Sequence, residues 1–180
     1  MRNDRRLLRT RRNPLLLGVL GLACMGCAAA AQVSVGRWEL IDYDQPHASG
    51  KSQIALWLPG DRRVKNPAPT NAYNAQGLPL LSIQCVRGRP GFFINLNFEV
   101  PSGVVAVASR LDQGADIGGT WNSEGIAIAP DNQVAFVRSL LGKRELSLTL
   151  TFPGVEPTST VFQIAGLDTA LQALRPHCSW

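Results

Sequence analysis

The chain has 180 residues, a suitable length for one domain, and a formal net charge of +5. Residues 1–31 contain six arginines and one acid, which account for this charge, whereas the chain from Gln32 onward has twelve basic and twelve acidic residues. Because the rest of the chain is neutral, its composition argues against a strongly basic surface for nucleic-acid phosphates.

The first 31 residues have the pattern of a secretory signal peptide. A basic region precedes an apolar run from Leu15 to Ala23, and small residues then continue to Ala31, which predicts cleavage before Gln32. The run is shorter than the roughly 20 residues of a membrane-spanning helix, so cleavage is favoured over an uncleaved anchor. Residues 1–31 are therefore predicted to direct export, and residues 32–180 to form a single domain in a bacterial periplasm.

Two other kinds of export signal are alternatives. Cys24 or Cys27 would be lipidated in a lipoprotein, but neither has a leucine three residues before it. Thr10-Arg11-Arg12 resembles part of a twin-arginine signal, although Pro14 follows closely.

The mature chain keeps only two cysteines, Cys85 and Cys178. An even number of cysteines in an oxidising compartment favours a disulfide, and only one pairing is available. A zinc site is the alternative. It would need about four ligands and so would have to use both histidines, His47 and His177, without the usual close cysteine spacing.

Alternating apolar and polar residues predict strands through most of the domain. Short turns between these strands indicate antiparallel pairing, beginning with a hairpin of the first two. Residues 59–79 are expected to form a long loop, either mobile or in contact with a partner, and residues 114–122 are expected to be rich in turns. The predicted strands cover residues 32–43, 51–58, 80–86, 92–100, 104–112, 124–130, 143–152 and 158–165.

Two short helices are predicted late in the chain. Asp131 is expected to cap the first, over residues 132–141. In the second, Leu167, Leu171 and Leu174 share one face, Asp168 is expected to cap the start, and a proline ends it. The predicted fold is mainly β: an antiparallel β-sandwich-like domain with two short helices, the C-terminal one stapled by the disulfide. A curled sheet around one apolar core is the alternative to the sandwich.

The sequence lacks the usual marks of catalysis. It contains no G-x-S-x-G elbow and no phosphate-binding glycine loop. We therefore expect a binding or assembly module rather than an enzyme, with no cofactor and no metal. Arg110, Asp112 and Trp121 are the candidate binding residues. For Arg110 and Asp112, which share a face of one strand, the alternative is a surface ion pair; for Trp121 it is core packing.

The second half of the chain carries a combination of motifs that ends in Phe162-x-Ile164-x-Gly166-Leu167, then Ala170-Leu171 and Leu174, and closes on Cys178-x-Trp180. In this it resembles the VasI/TagO-type periplasmic proteins associated with type VI secretion, over residues 79–180. The resemblance implies a small, disulfide-bonded, β-rich accessory protein without catalytic activity, which helps to assemble or position the secretion machine at the cell envelope.

The leading functional hypothesis is accordingly a non-catalytic envelope accessory or binding protein. Its expected partner is an envelope protein or a secretion-system component, and neither nucleic acid nor a membrane, apart from the leader, is expected to bind. The alternatives are a cell-wall hydrolase, an inhibitor of such a hydrolase, or a general ligand-binding module with an aromatic cleft.

Overall fold

The computed structural model describes residues 33–43, 53–62, 64, 77–86, 88–153 and 156–178. The predicted signal peptide, His47 and Trp180 lie outside these residues. The strands are β1 Val33–Val35, β2 Trp38–Tyr43, β3 Gln53–Pro59, β4 Leu80–Val86, β5 Arg89–Asn95, β6 Gly103–Leu111, β7 Ile117–Glu124, β8 Ala127–Ala129, β9 Leu146–Thr151 and β10 Thr158–Phe162. The helices are α1 Gln133–Ser139 and α2 Leu167–Leu174.

The strands form one antiparallel sheet in the order β1-β2-β3-β4-β5-β8-β7-β6-β9-β10. This confirms the mainly β antiparallel fold, the two short helices and the β2–β3 hairpin. The sandwich is not confirmed, because the sheet curls into a half-barrel instead of dividing into two packed layers. Curling lets one sheet enclose a core from several sides, as the accumulated twist of many strands favours.

One apolar core joins the sheet to both helices. Leu146, Leu148 and Leu150 of β9 are fully buried, as their strict alternation predicts. The apolar faces of α1 and α2 belong to the same cluster of buried residues, and α2 contacts β2 and β3. The helices therefore pack against the apolar face of the curled sheet and close its core.

Strand β7 corrects the sequence interpretation, which expected turns in residues 114–122. Gly118 and Gly119 pair with β6 opposite Ala108 and Val107. Glycine weakens a strand in isolation, but pairing with β6 holds Gly118 and Gly119 extended, and residues 122–124 of the same strand also pair with β8.

Both predicted helix caps are also corrected. The side chain of Asn132, not that of Asp131, accepts the capping hydrogen bond in α1, from the backbone N–H of Ala135 at 3.0 Å. Asp131 instead accepts from Asn122 Nδ2 at 2.6 Å. In α2 the N-cap residue is Gly166, in the left-handed region at φ 86°, and Asp168 lies in the first turn.

The disulfide predicted between Cys85 and Cys178 is confirmed. The two Cα atoms lie 5.6 Å apart, within the range that a disulfide requires. The bond joins the end of β4 to the segment after α2, across 93 residues of sequence. It therefore anchors the C-terminal helix covalently to the middle of the sheet.

At the start of the loop predicted over residues 59–79, Asp61 forms a pair of hydrogen bonds, called here the Asp61 clasp, with the last strand, β10. Residues 65–76 of this loop lie outside the described residues. The backbone N–H of Asp61 donates to the carbonyl of Val161 at 2.9 Å, and Asp61 Oδ1 accepts from the N–H of Val161 at 2.8 Å. Gly60 is buried beside this clasp, where a Cβ atom would lie 2.5 Å from Thr160 Oγ1 and 2.9 Å from Pro79 Cγ. Only glycine fits at position 60 without displacing its neighbours.

Replacing Gly60 by alanine should therefore destabilise the fold. The added methyl group has no space, and overpacking of this kind costs about 1–3 kcal/mol. Denaturant unfolding of the Gly60→Ala variant measures the loss. Gly118→Ala is the matched control, since a Cβ atom there meets nothing within 4 Å, and its free energy of unfolding should change by less than about 0.5 kcal/mol. Equal stability of the two variants would contradict the close approach at Gly60.

Breaking the disulfide should lower the free energy of unfolding by more than the Gly60→Ala substitution does. The chain-entropy estimate for a loop of this length is about 4–5 kcal/mol, as an upper figure. Thermal unfolding of Cys85→Ser, Cys178→Ser and the double variant measures it, and the three should lose similar amounts because each removes the same bond. Peptide mapping of the unreduced protein should find the Cys85 and Cys178 peptides linked. Two free, alkylatable thiols at these positions would refute the bond.

Candidate functional site

The three residues predicted as a binding site do not come together as one. Arg110 forms an exposed ion pair with Asp116 at 3.5 Å, not with Asp112. Strand β6 ends at Leu111, and Asp112 follows with a positive φ of 52°, so Arg110 and Asp112 do not share a strand face as predicted. Trp121 is buried.

Asp112 instead ties the end of β6 to the segment that enters β9. Its Oδ1 accepts from the backbone N–H groups of Arg144, at 2.8 Å, and Glu145, at 3.0 Å. Its own N–H donates to the carbonyl of Glu145 at 2.9 Å. The hydrogen bonds from the Arg144 and Glu145 backbones favour the ionised carboxylate and lower the pKa of Asp112, with a smaller contribution from the positive charge of Lys143. Asp112 is therefore a structural residue.

Trp121 belongs to an aromatic cluster that fixes the position of α1. Its ring lies 5.0 Å from that of Phe136 in α1 and 5.9 Å from that of Phe92 in β5, in edge-to-face arrangements. The side chain of Gln133, also in α1, accepts a hydrogen bond from the backbone N–H of Phe92 at 2.8 Å. The core-packing alternative for Trp121 is the one that the structure shows.

A groove of about 340 Å³ lies between α1 and α2. Val137 and Leu171 are buried and form its apolar floor, while Leu141 is 40% exposed at its side. The complete lining is Val137, Arg138, Leu141, Asp168, Leu171, Gln172 and Arg175.

Two contacts hold the helices that form this groove. Asp168 Oδ2, in the first turn of α2, accepts from the backbone N–H of Gly142, just after α1, at 3.0 Å. At the other end of α2, the N–H groups of His177 and Cys178 donate to the carbonyl of Leu174, and Cys178 carries the disulfide. The groove is therefore held in place from both ends of α2, before any ligand binds.

The charged side chains that line the groove differ in whether they already have a partner. In the part of the chain that the structure describes, Arg138 and Arg175 form no ion pair, and both are exposed. Asp168 already accepts the Gly142 hydrogen bond. Sequence reasoning missed both arginines, because they lie on separate helices and only the tertiary fold brings them to one groove.

A second, more open depression lies on the outer surface of the sheet, with a volume of about 680 Å³. Glu156 is the single charged residue among those that line it. It therefore offers less to orient a ligand than the helical groove does. The lining consists of Val104, Ala106, Thr120, Thr151, Phe152, Pro153 and Glu156.

Within the described ranges, no three His, Cys, Asp or Glu side chains are grouped so that they could hold a metal ion. The described helices are also too short to span a lipid bilayer.

The fold and the groove together define a disulfide-closed antiparallel half-barrel with a small cationic groove between its two helices. No family model, curated protein or solved structure matches the chain.

The structural role of Asp112 predicts a pH dependence of stability. Because folding lowers its pKa below the usual value of 3.8, the stabilisation is present above that value and is lost as pH falls through the lower folded pKa. The Asp112→Asn variant keeps an acceptor oxygen but lacks the charge. Wild type should exceed it in stability near neutral pH, and the difference should shrink as the solution is acidified below pH 3.8. Denaturant unfolding across this range measures the difference; a constant difference would contradict the role of the carboxylate.

Proposed function

We propose that the protein is a non-catalytic accessory or binding protein exported to the bacterial envelope. The observation that carries this proposal is the Cys85–Cys178 disulfide. Structural disulfides persist in oxidising compartments such as the periplasm and are rare in the reducing cytosol. The basic, apolar and small-residue regions of the predicted leader supply a route to that compartment.

The groove between α1 and α2 supports binding as the activity. It combines an apolar floor with two arginines that have no ion-pair partner in the described parts of the chain. Ligand sites commonly pair apolar walls with a few oriented polar groups. A preformed groove also lowers the entropic cost of association, because its walls are already ordered.

We further propose that the envelope partner is a component of a type VI secretion machine, on the strength of the resemblance in residues 79–180. Genes for a secretion sheath and baseplate beside this gene would support that role. The role would lose its basis if neither the neighbouring genes nor the captured partners belonged to such a machine.

Fractionation of cells that express the full chain tests the proposed location. The protein should appear in the periplasmic fraction with residues 1–31 removed, because the apolar run directs export. The matched variant Leu16→Arg, Leu17→Arg should remain in the cytoplasm with an uncleaved leader. A Cys24→Ala, Cys27→Ala variant should fractionate like wild type, whereas its loss from a membrane fraction would indicate a lipoprotein.

In-cell cross-linking then tests the activity. An envelope protein should be captured, and purified protein should not turn over cell-wall fragments. Cytoplasmic wild-type protein, or measurable turnover, would overturn the proposal; turnover would favour the cell-wall hydrolase.

A further inference from the structure

We propose that the groove between α1 and α2 binds an acidic peptide segment of a partner protein, with an apolar side chain of that segment beside its carboxylates. This inference rests on the proposed function, because it names the surface and the kind of partner through which an envelope binding protein would act.

Two adjacent leucines after α1 differ in their burial. Leu140 is fully buried in the core, whereas Leu141 is 40% exposed and lies at the groove. Leu141 belongs to the small set of large apolar side chains that are exposed among the described residues. Together with Val137 and Leu171 it offers a continuous apolar contact for one inserted side chain.

Arg138 and Arg175 supply the positive charge of the groove. Arg138 lies in α1 and Arg175 is the C-cap residue of α2, and Asp168 is the one acid in the lining. Among the described residues neither arginine forms an ion pair with Asp168, whose Oδ2 accepts from the Gly142 N–H, so both guanidinium groups remain available. A guanidinium binds a carboxylate through two parallel hydrogen bonds, so two arginines that line one groove match the carboxylates of an acidic segment.

The charge of the surrounding surface favours the same ligand. The chain from Gln32 onward is neutral in total. Lys143 and Arg144, however, lie two and three residues after Leu141 of the groove, and both are exposed. The basic residues Arg138, Lys143, Arg144 and Arg175 exceed by one the acids Asp112, Glu145 and Asp168 that lie beside them. The groove therefore lies in a locally positive part of a neutral domain.

The dimensions and chemistry of the groove favour a peptide over other anions. A volume of about 340 Å³ accommodates a short segment with one or two side chains. Anionic lipid surfaces attract clusters of about 4–8 basic residues, more than line this groove. A free phosphate would gain nothing from the apolar floor formed by Val137 and Leu171.

The test is selection of short random peptides, displayed on phage, against the oxidised full chain. Enriched sequences should combine Asp or Glu with Leu, Ile or Phe, and their affinity should fall as salt rises. Absence of enrichment, or enrichment of neutral or basic sequences, would overturn the proposal.

Matched variants locate the binding site. A selected peptide should bind Arg138→Gln, Arg175→Gln at least about tenfold more weakly, since each lost charged hydrogen bond weakens binding by about that factor. Arg37→Gln, Arg89→Gln removes the same charge from exposed residues that do not line the groove, and it should bind like wild type. Leu141→Ser should weaken binding, whereas Ile117→Ser, at a residue 66% exposed on β7, should not.

The remaining outcomes separate this inference from the proposed function. Binding to phosphatidylglycerol vesicles that requires Arg138 and Arg175, without peptide selection, would reassign the groove to lipid and refute the peptide. An envelope partner that still cross-links to the Arg138→Gln, Arg175→Gln variant as it does to wild type would refute the groove and leave the envelope role intact. Cytoplasmic location of the full chain would refute the envelope role itself, whatever the peptides do.

Discussion

The disulfide between Cys85 and Cys178 fixes the C-terminal helix, α2, to the sheet. Helix α2 has only eight residues, and a helix of this length is marginal in water unless it packs on something larger. Its leucines supply that packing against β2 and β3, and the disulfide joins its C-terminal side to β4. Because α2 is fixed in this way, the surface it shares with α1 is a permanent feature of the molecule. The groove depends on this covalent constraint.

Polar interactions divide into those that hold the fold and those left available for a ligand. Asp61, Asp112 and Asp168 each accept backbone N–H hydrogen bonds that join distant parts of the chain. Each carboxylate thereby ties a loop or a helix end to another element. Among the described residues, the side chains of Arg138 and Arg175 form no ion pair with another element. These three acids therefore stabilise the fold, whereas the groove arginines form no ion pair among the described residues.

The sequence alone was sufficient for the alternating strands, both helices and the disulfide. The strands and helices leave a local periodicity, and only one pair of cysteines follows the predicted leader. It was insufficient where the outcome depended on distant partners. Asp131 and Asn132 can both cap a helix, and the choice fell to Asn132 because Asn122 engages Asp131. Strand β7 forms in spite of its glycines because residues 117–123 pair with β6 and residues 122–124 also pair with β8. The groove could not be predicted, because Arg138 and Arg175 meet only after the sheet has curled and α2 has docked.

The hydrogen bonds of Asp61 also protect the outermost strand of the sheet. Strand β10 is the last in the sheet, and an unpaired outermost strand presents backbone groups that can recruit a strand from another molecule. Asp61 occupies both the N–H and the carbonyl of Val161, with its own backbone and side chain. One residue therefore covers the middle of this edge strand and leaves neither backbone group of Val161 free to pair with a strand of another molecule.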